Sequence, residues 1–218
     1  MSDLHGYAGY NASFSSDVGF VWFRVAKTGT RSLNFLLDAE VGDYHYVTRR
    51  DVVPPALVDL LAGSSFCFTF VRNPWDRLVS AWRDKLVKSR NSSKFLRQLS
   101  TTADDDDLAG CREDFIAFAR LLPGSNLLGK NVHFQPQTEI LGDIELDFVG
   151  RFEHFGADVE KALTTIGLGH SVAALPHRNQ SFAGDHYSSF YDAETRDAVG
   201  DLFHDDLTRW GYTFETPT

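Results

Sequence analysis

The stretch "SFCFTFV", Ser65 to Val71, carries no charge and sets Phe at every second position. So short an apolar run, rich in aromatic and β-branched side chains, is a buried strand. It ends at Arg72, and "RNPWDRLVSAWRDKLV" follows. There Asn73 is a natural N-cap and Pro74 a natural first helical residue. A junction of the same kind lies about 45 residues upstream. The apolar run Gly19 to Val25 predicts a strand, "AKTGT" a loop, and Arg31 to about Leu37 a helix. Between the two junctions, "YHYVT" (Tyr44 to Thr48) reads as a strand. "PPALVDLLAG" reads as a helix with Pro at its start and Gly at its end. Strands alternating with helices predict an α/β fold, a central parallel sheet flanked by helices on both faces.

Downstream, residues 90–110 are polar and include the Asp104–Asp107 run. This composition predicts a surface loop or mobile lid with a solvated charge run. "REDFIAFARLLPG" predicts a helix burying Phe115, Phe118 and Leu122. "LDFVGRFEHF" predicts a strand, "ADVEKALTTIGL" a helix, and "AETRDAVGDLFHDDLTRWGY" one closing helix. No repeat or long linker divides the chain, so residues 1–218 are expected to form one domain.

Composition narrows the function. The net charge of -9 argues against nucleic acid and anionic membranes as partners. No apolar run approaches the roughly 18 residues of a membrane span, and "MSDLHGYAGYNASFSS" lacks the pattern of a secretory signal. Two cysteines, Cys67 and Cys111, are too few for a disulfide scaffold. Cys67, inside the Phe-rich run, reads as a small buried hydrophobe. These features together predict a cytoplasmic protein.

In open parallel sheets, ligands bind beyond the carboxyl ends of the strands. Both strand-to-helix junctions here carry anion chemistry. In "AKTGTRS", backbone N–H groups of a Gly-containing turn lead into a helix N-terminus. Lys27 adds a point charge, and Thr28, Thr30 and Ser32 add hydroxyls. The spacing is not that of the usual nucleotide loop, where four residues separate two glycines before the Lys. At the second junction Arg72 offers a planar fork suited to phosphate. Ser80 follows about two helical turns on and faces broadly the same side as the helix start. Two anion sites imply a ligand with two separated anionic groups.

"KTGTRS" resembles the 5′-phosphosulfate loop of sulfotransferases, and "FVRNPWDRLVSAWRDK" resembles their 3′-phosphate motif. "DFIAFARLL", "NVHFQPQ", "LDFVGRFEHF" and the C-terminal block resemble the Golgi carbohydrate sulfotransferases that modify chondroitin, dermatan and the HNK-1 glycan. The resemblance implies a nucleotide-kinase-like α/β fold and the donor 3′-phosphoadenosine 5′-phosphosulfate. It assigns Lys27, Thr28, Gly29, Thr30, Arg31 and Ser32 to the 5′-phosphosulfate, and Arg72 and Ser80 to the 3′-phosphate. Arg178, Asn179 and Ser181, in "LPHRNQSF", stand where the family often closes over the nucleotide. The acceptor it implies is a hydroxylated compound such as a glycan or glycolipid. The chain departs from the Golgi enzymes in showing no N-terminal anchor, in having "TEILGDIEL" where they carry paired cysteines, and in its acidity.

Sulfuryl transfer asks the protein for positioning and electrostatic stabilisation, with no metal required. Lys27 suits the neutralisation of charge on the leaving phosphate. The proton of the acceptor needs a base, for which histidine is apt near pH 7. His133 in "NVHFQPQ" is the first candidate, since a His also stands in the matching block of the chondroitin-type enzymes. His45 in "DYHYVT" and Glu153 in "GRFEHF" are the others. Two rivals remain on sequence alone: a nucleotide or small-molecule kinase, which leaves Arg72 and Ser80 unexplained, and a non-catalytic nucleotide-binding module.

Overall fold

The computed structural model describes residues 11–48, 51–99, 105–170 and 185–215. Arg178, Asn179, Ser181 and Asp104 lie outside the described residues. Contacts group the chain into two compact units, residues 1–72 with 140–180, and residues 73–139 with 181–218.

The first unit holds a sheet. Strands β1 (Ala12–Ser15), β2 (Phe20–Phe23), β3 (His45–Val47), β4 (Phe66–Val71) and β5 (Phe148–Arg151) are ordered β3-β1-β2-β4-β5. β2, β4 and β5 run parallel, whereas β1 is antiparallel to both β2 and β3. The expected parallel sheet is therefore a mixed one. The reason is a short turn: only residues 16–19 join β1 to β2, and the Gly19 N–H donates to the Ser15 carbonyl at 3.0 Å. A link this short makes only a hairpin, because a parallel crossover needs a dozen residues or more.

Alternation along β2 and β4 sends Phe20, Trp22, Phe68 and Phe70 to one face, all fully buried. Helix α1 (Thr30–Glu40) packs on them through Leu33, Leu36 and Leu37. Helix α9 (Phe155–Thr165) does so through Val159, Ala162 and Leu163. Trp22 and Phe68 stack with ring centroids 6.1 Å apart. Each such side chain contributes about 1.5–3 kcal/mol by leaving water. Gly150 in β5 is required by this face, since an added Cβ would lie 2.4 Å from the Phe70 ring. Helix α2 (Pro55–Ala62), with Pro at its start as expected, packs on β2. Cys67 in β4 is half-buried rather than buried. Burial pushes its thiol up to about 11, and the neighbouring Asp147 adds to the shift.

The second unit is helical among the described residues. Helix α3 (Pro74–Trp82) runs on into a π-helical turn, Arg83–Val87. The Asn73 side chain accepts from the Trp75 N–H at 3.1 Å, so the cap stands as read from the sequence. Helices α4 (Ser92–Leu99) and α5 (Asp105–Glu113) occupy most of the segment expected to be a loop. Leu99 is buried, and Phe95 and Leu96 pack on the same core, which is enough to order α4. Helices α6 (Phe115–Leu121), α7 (Asn126–Lys130) and α8 (Gln137–Leu141) follow. The expected closing helix is two, α10 (Ala193–Leu202) and α11 (His204–Trp210). The break falls at Phe203, whose backbone leaves the helical region (φ -109°, ψ 25°) while its side chain sinks into the core. That core gathers Trp75, Leu78, Trp82, Phe115, Phe118 and Phe134.

Candidate active site

The loop from β2 to α1 is built on two left-handed residues. Lys27 has φ 75° and Gly29 has φ 82°. Lys27 is the one non-glycine residue with positive φ among the described residues. Such a conformation costs of order 1–3 kcal/mol and collects at functional sites. Gly29 is doubly constrained, because a Cβ there would sit 2.4 Å from the Phe155 ring at the start of α9. Gly29→Ala is therefore expected to cost about 2–3 kcal/mol, from the backbone strain and the clash together. Urea denaturation measures this; a loss under about 0.5 kcal/mol would show that Phe155 yields freely.

The hydroxyls of the loop do not all point where the sequence suggests. Thr28 Oγ1 donates to the Val25 carbonyl at 2.8 Å, and Thr30 Oγ1 donates to the same oxygen at 2.9 Å. Both protons shape the loop instead of facing a ligand. At the helix start, the Ser32 and Leu33 N–H groups turn back to the Gly29 carbonyl at 3.0 and 3.3 Å. The N–H groups of Thr30 and Arg31 have no acceptor within their own helix, as helix starts dictate. These amides carry the positive end of α1. Ser32 is buried and Arg31 exposed.

Arg72, at the end of β4, is 2% exposed. Its Nη1 donates to the Lys27 carbonyl at 3.1 Å, and its guanidinium lies 4.1 Å from the centre of the Phe152 ring. The two strand ends, 45 residues apart in sequence, thus meet through one side chain. His45 opens β3 rather than standing near its end. It pairs with Phe14, which pairs in turn with Val21, two residues short of the end of β2. Its ring packs on Phe14 at 5.4 Å. Glu153 is exposed in a 3-10 turn, Phe152–His154.

In the second unit, Ser80 is half-buried on α3. His133 lies in the turn between α7 and α8. That turn is held by Arg77, a buried residue of α3 to which sequence reading gave no site role. Arg77 Nη2 donates to the Val132 carbonyl and Nη1 to the Gln135 carbonyl, each at 2.9 Å. Asn131 was missed as well. Its Oδ1 lies 3.1 Å from the His133 backbone nitrogen and 2.9 Å from His133 Nδ1. The spacing Asn-x-His is the signal that could have found it, since Asn side chains bond their own backbone two residues on. Among the described residues no group of three or more His, Cys, Asp and Glu is placed to hold a metal ion.

The lysine loop, with its two left-handed residues, opens a helix and is tied to the arginine at the next strand end, which makes it the candidate anion site of an α/β protein. A family model described as "Sulfotransferase family" matches residues 11–213, and the chain belongs to that family. A similar curated protein is "Carbohydrate sulfotransferase 14" of Danio rerio, 28% identical over 123 residues. The match covers 53% of this chain and 34% of that protein, so the chain spans about a third of the relative's length. No solved structure matches. Among the described residues, no helix is long and apolar enough to cross a membrane.

Proposed function

We propose that the protein transfers a sulfuryl group from 3′-phosphoadenosine 5′-phosphosulfate to a hydroxyl of a carbohydrate or another hydroxylated acceptor such as a glycolipid. The observation that carries this reading is the meeting of the two anion-suited strand ends, Lys27 in its left-handed turn and Arg72 bonded to the same residue's carbonyl. A donor with a 5′-phosphosulfate and a 3′-phosphate needs two such groups.

In this reading the acceptor oxygen attacks sulfur, and the bond from sulfur to the phosphate oxygen breaks. 3′-Phosphoadenosine 5′-phosphate leaves with the bonding pair. Lys27, with the amides of Thr30 and Arg31 and the Ser32 hydroxyl, neutralises charge that grows on the leaving phosphate. Thr28, Gly29 and Thr30 hold the loop in shape. Arg72 and Ser80 bind the 3′-phosphate, and the resemblance adds Arg178, Asn179 and Ser181 as further nucleotide contacts. His133 takes the proton of the acceptor at Nε2. His45 is the alternative base, and its place at the start of β3 disfavours it. No metal takes part. Cys67 and Cys111 are not joined in a disulfide, which fits a reducing, cytoplasmic setting.

The test is calorimetry on wild type and Arg72→Ala, with 3′-phosphoadenosine 5′-phosphate, adenosine 5′-phosphate and ATP with Mg²⁺ as ligands. Wild type should prefer the first, and Arg72→Ala should lose roughly one to two orders of magnitude of that preference. An undiminished preference removes Arg72 from the 3′-phosphate. Tighter binding of ATP with Mg²⁺ favours a kinase, and no binding at all favours a protein without this chemistry.

A further inference from the structure

We propose that Asn131 is a positioning residue that fixes His133 in the tautomer a base requires. The inference rests on the reading of His133 as the base. The backbone N–H of His133 can only donate. The Asn131 side-chain atom 3.1 Å from it is therefore the amide oxygen and not the NH₂ group, which would meet it donor to donor. The same oxygen is 2.9 Å from His133 Nδ1. An amide oxygen only accepts, so Nδ1 must carry the proton. A neutral imidazole protonated at Nδ1 keeps its lone pair at Nε2. That is the reverse of the form free histidine favours.

The surroundings hold the backbone that carries this ring. Arg77, 1% exposed, grips the carbonyls of Val132 and Gln135, which flank His133 on either side. Phe134, next in sequence, is fully buried. The Asn131 carbonyl accepts from the N–H groups of Phe134 and Gln135 at 2.9 and 3.0 Å. Residues 131–135 therefore hold one shape, and Asn131 ties both the backbone and the ring of His133 to it. When Nε2 takes the proton of the acceptor, the ring becomes cationic. The Nδ1–H bond to Asn131 then becomes charge-assisted, so it strengthens as the reaction proceeds. The arrangement does with a neutral oxygen what an orienting carboxylate does in a catalytic triad.

The tautomer is directly observable. Protein labelled with ¹⁵N at histidine is studied by long-range ¹H–¹⁵N correlation at a pH where His133 is neutral. The His133 signals are assigned by their loss in His133→Gln. Wild type should show protonated Nδ1 and unprotonated Nε2. Asn131→Ala should shift the population toward protonated Nε2 and lower kcat on the order of 10- to 100-fold, with the KM for the donor little changed. Asn131→Asp, which keeps an accepting oxygen, should recover the Nδ1–H form and part of the kcat. A wild-type His133 protonated at Nε2 overturns the proposal, whether or not the variants fold. So does an Asn131→Ala protein with unchanged tautomer and kcat. If His133→Gln remains active, the reading of His133 as the base fails, and the positioning role falls with it. If His133→Gln is inactive but folded while the tautomer is wrong, only the role of Asn131 fails.

Discussion

Lys27→Gly should give a protein about 1 kcal/mol more stable than wild type and about 100- to 1,000-fold slower in sulfuryl transfer. The two effects share one origin. Lys27 holds φ 75°, a region in which an L side chain crowds its own backbone and glycine does not. Glycine there relieves the strain, although the extra freedom of the unfolded chain offsets part of the gain. The ammonium is lost in the same step. Because charge on the leaving phosphate grows only in the transition state, the loss should fall on turnover rather than on donor affinity. Pre-steady-state kinetics with a donor-binding measurement separates the two. Lys27→Ala serves as the control, slowed to a similar degree without the gain in stability. If Lys27→Gly binds the donor poorly but reacts at the normal rate, Lys27 is a binding residue and nothing more.

Asp206→Ala should cost about 3–4 kcal/mol of stability. Asp206 is on α11, fully buried, and it serves the start of α8. Its Oδ2 accepts from the Gln137 N–H at 2.9 Å and its Oδ1 from the Thr138 N–H at 2.7 Å. The Gln137 and Thr138 side chains donate to it as well, at 3.2 and 2.8 Å. The first amides of a helix have no partner within it, so this carboxylate is an N-cap delivered from another helix. Removing it takes an acceptor away from four donors, two of them backbone. The urea midpoint should fall with the m-value unchanged. Asp206→Asn should lose nearly as much, because its NH₂ group meets one of the two backbone N–H groups donor to donor. A loss below about 1 kcal/mol for Asp206→Ala would mean that water replaces the carboxylate.

What the sequence disclosed divides along a physical line. β2, β4 and the cap at Asn73 were legible, because their signals are local: dense Phe, β-branched residues, and an Asn-Pro pair before a helix. β1 was not. "ASFS" has one large apolar residue, and Ser13 and Ser15 are fully buried there only because Asn34 and Asp43, more than 20 residues on, accept their hydroxyl protons. Without β1 the sheet could not be recognised as mixed. α4 was hidden in polar composition, its order depending on Leu99 and its neighbours reaching a core assembled from distant segments. In the site, Lys27, Gly29 and Arg72 stood out by type and place. The direction of the Thr28 and Thr30 hydroxyls did not, since it depends on where the Val25 carbonyl turns. Nor did Arg77, whose acceptors lie 55 and 58 residues away.

The Arg72 bond to the Lys27 carbonyl also governs an atom that Arg72 never touches. A peptide unit is planar and trans, so its N–H points opposite to its C=O. Holding the Lys27 oxygen toward the guanidinium turns the Thr28 N–H away from it. The two threonine hydroxyls on the Val25 oxygen do the same for the Ala26 N–H. Three side chains thus set the bearing of two main-chain donors by gripping the carbonyls behind them. An isosteric change at Thr28 or Thr30, such as Thr→Val, alters no group aimed at an anion, yet it unlocks the bearing of an amide.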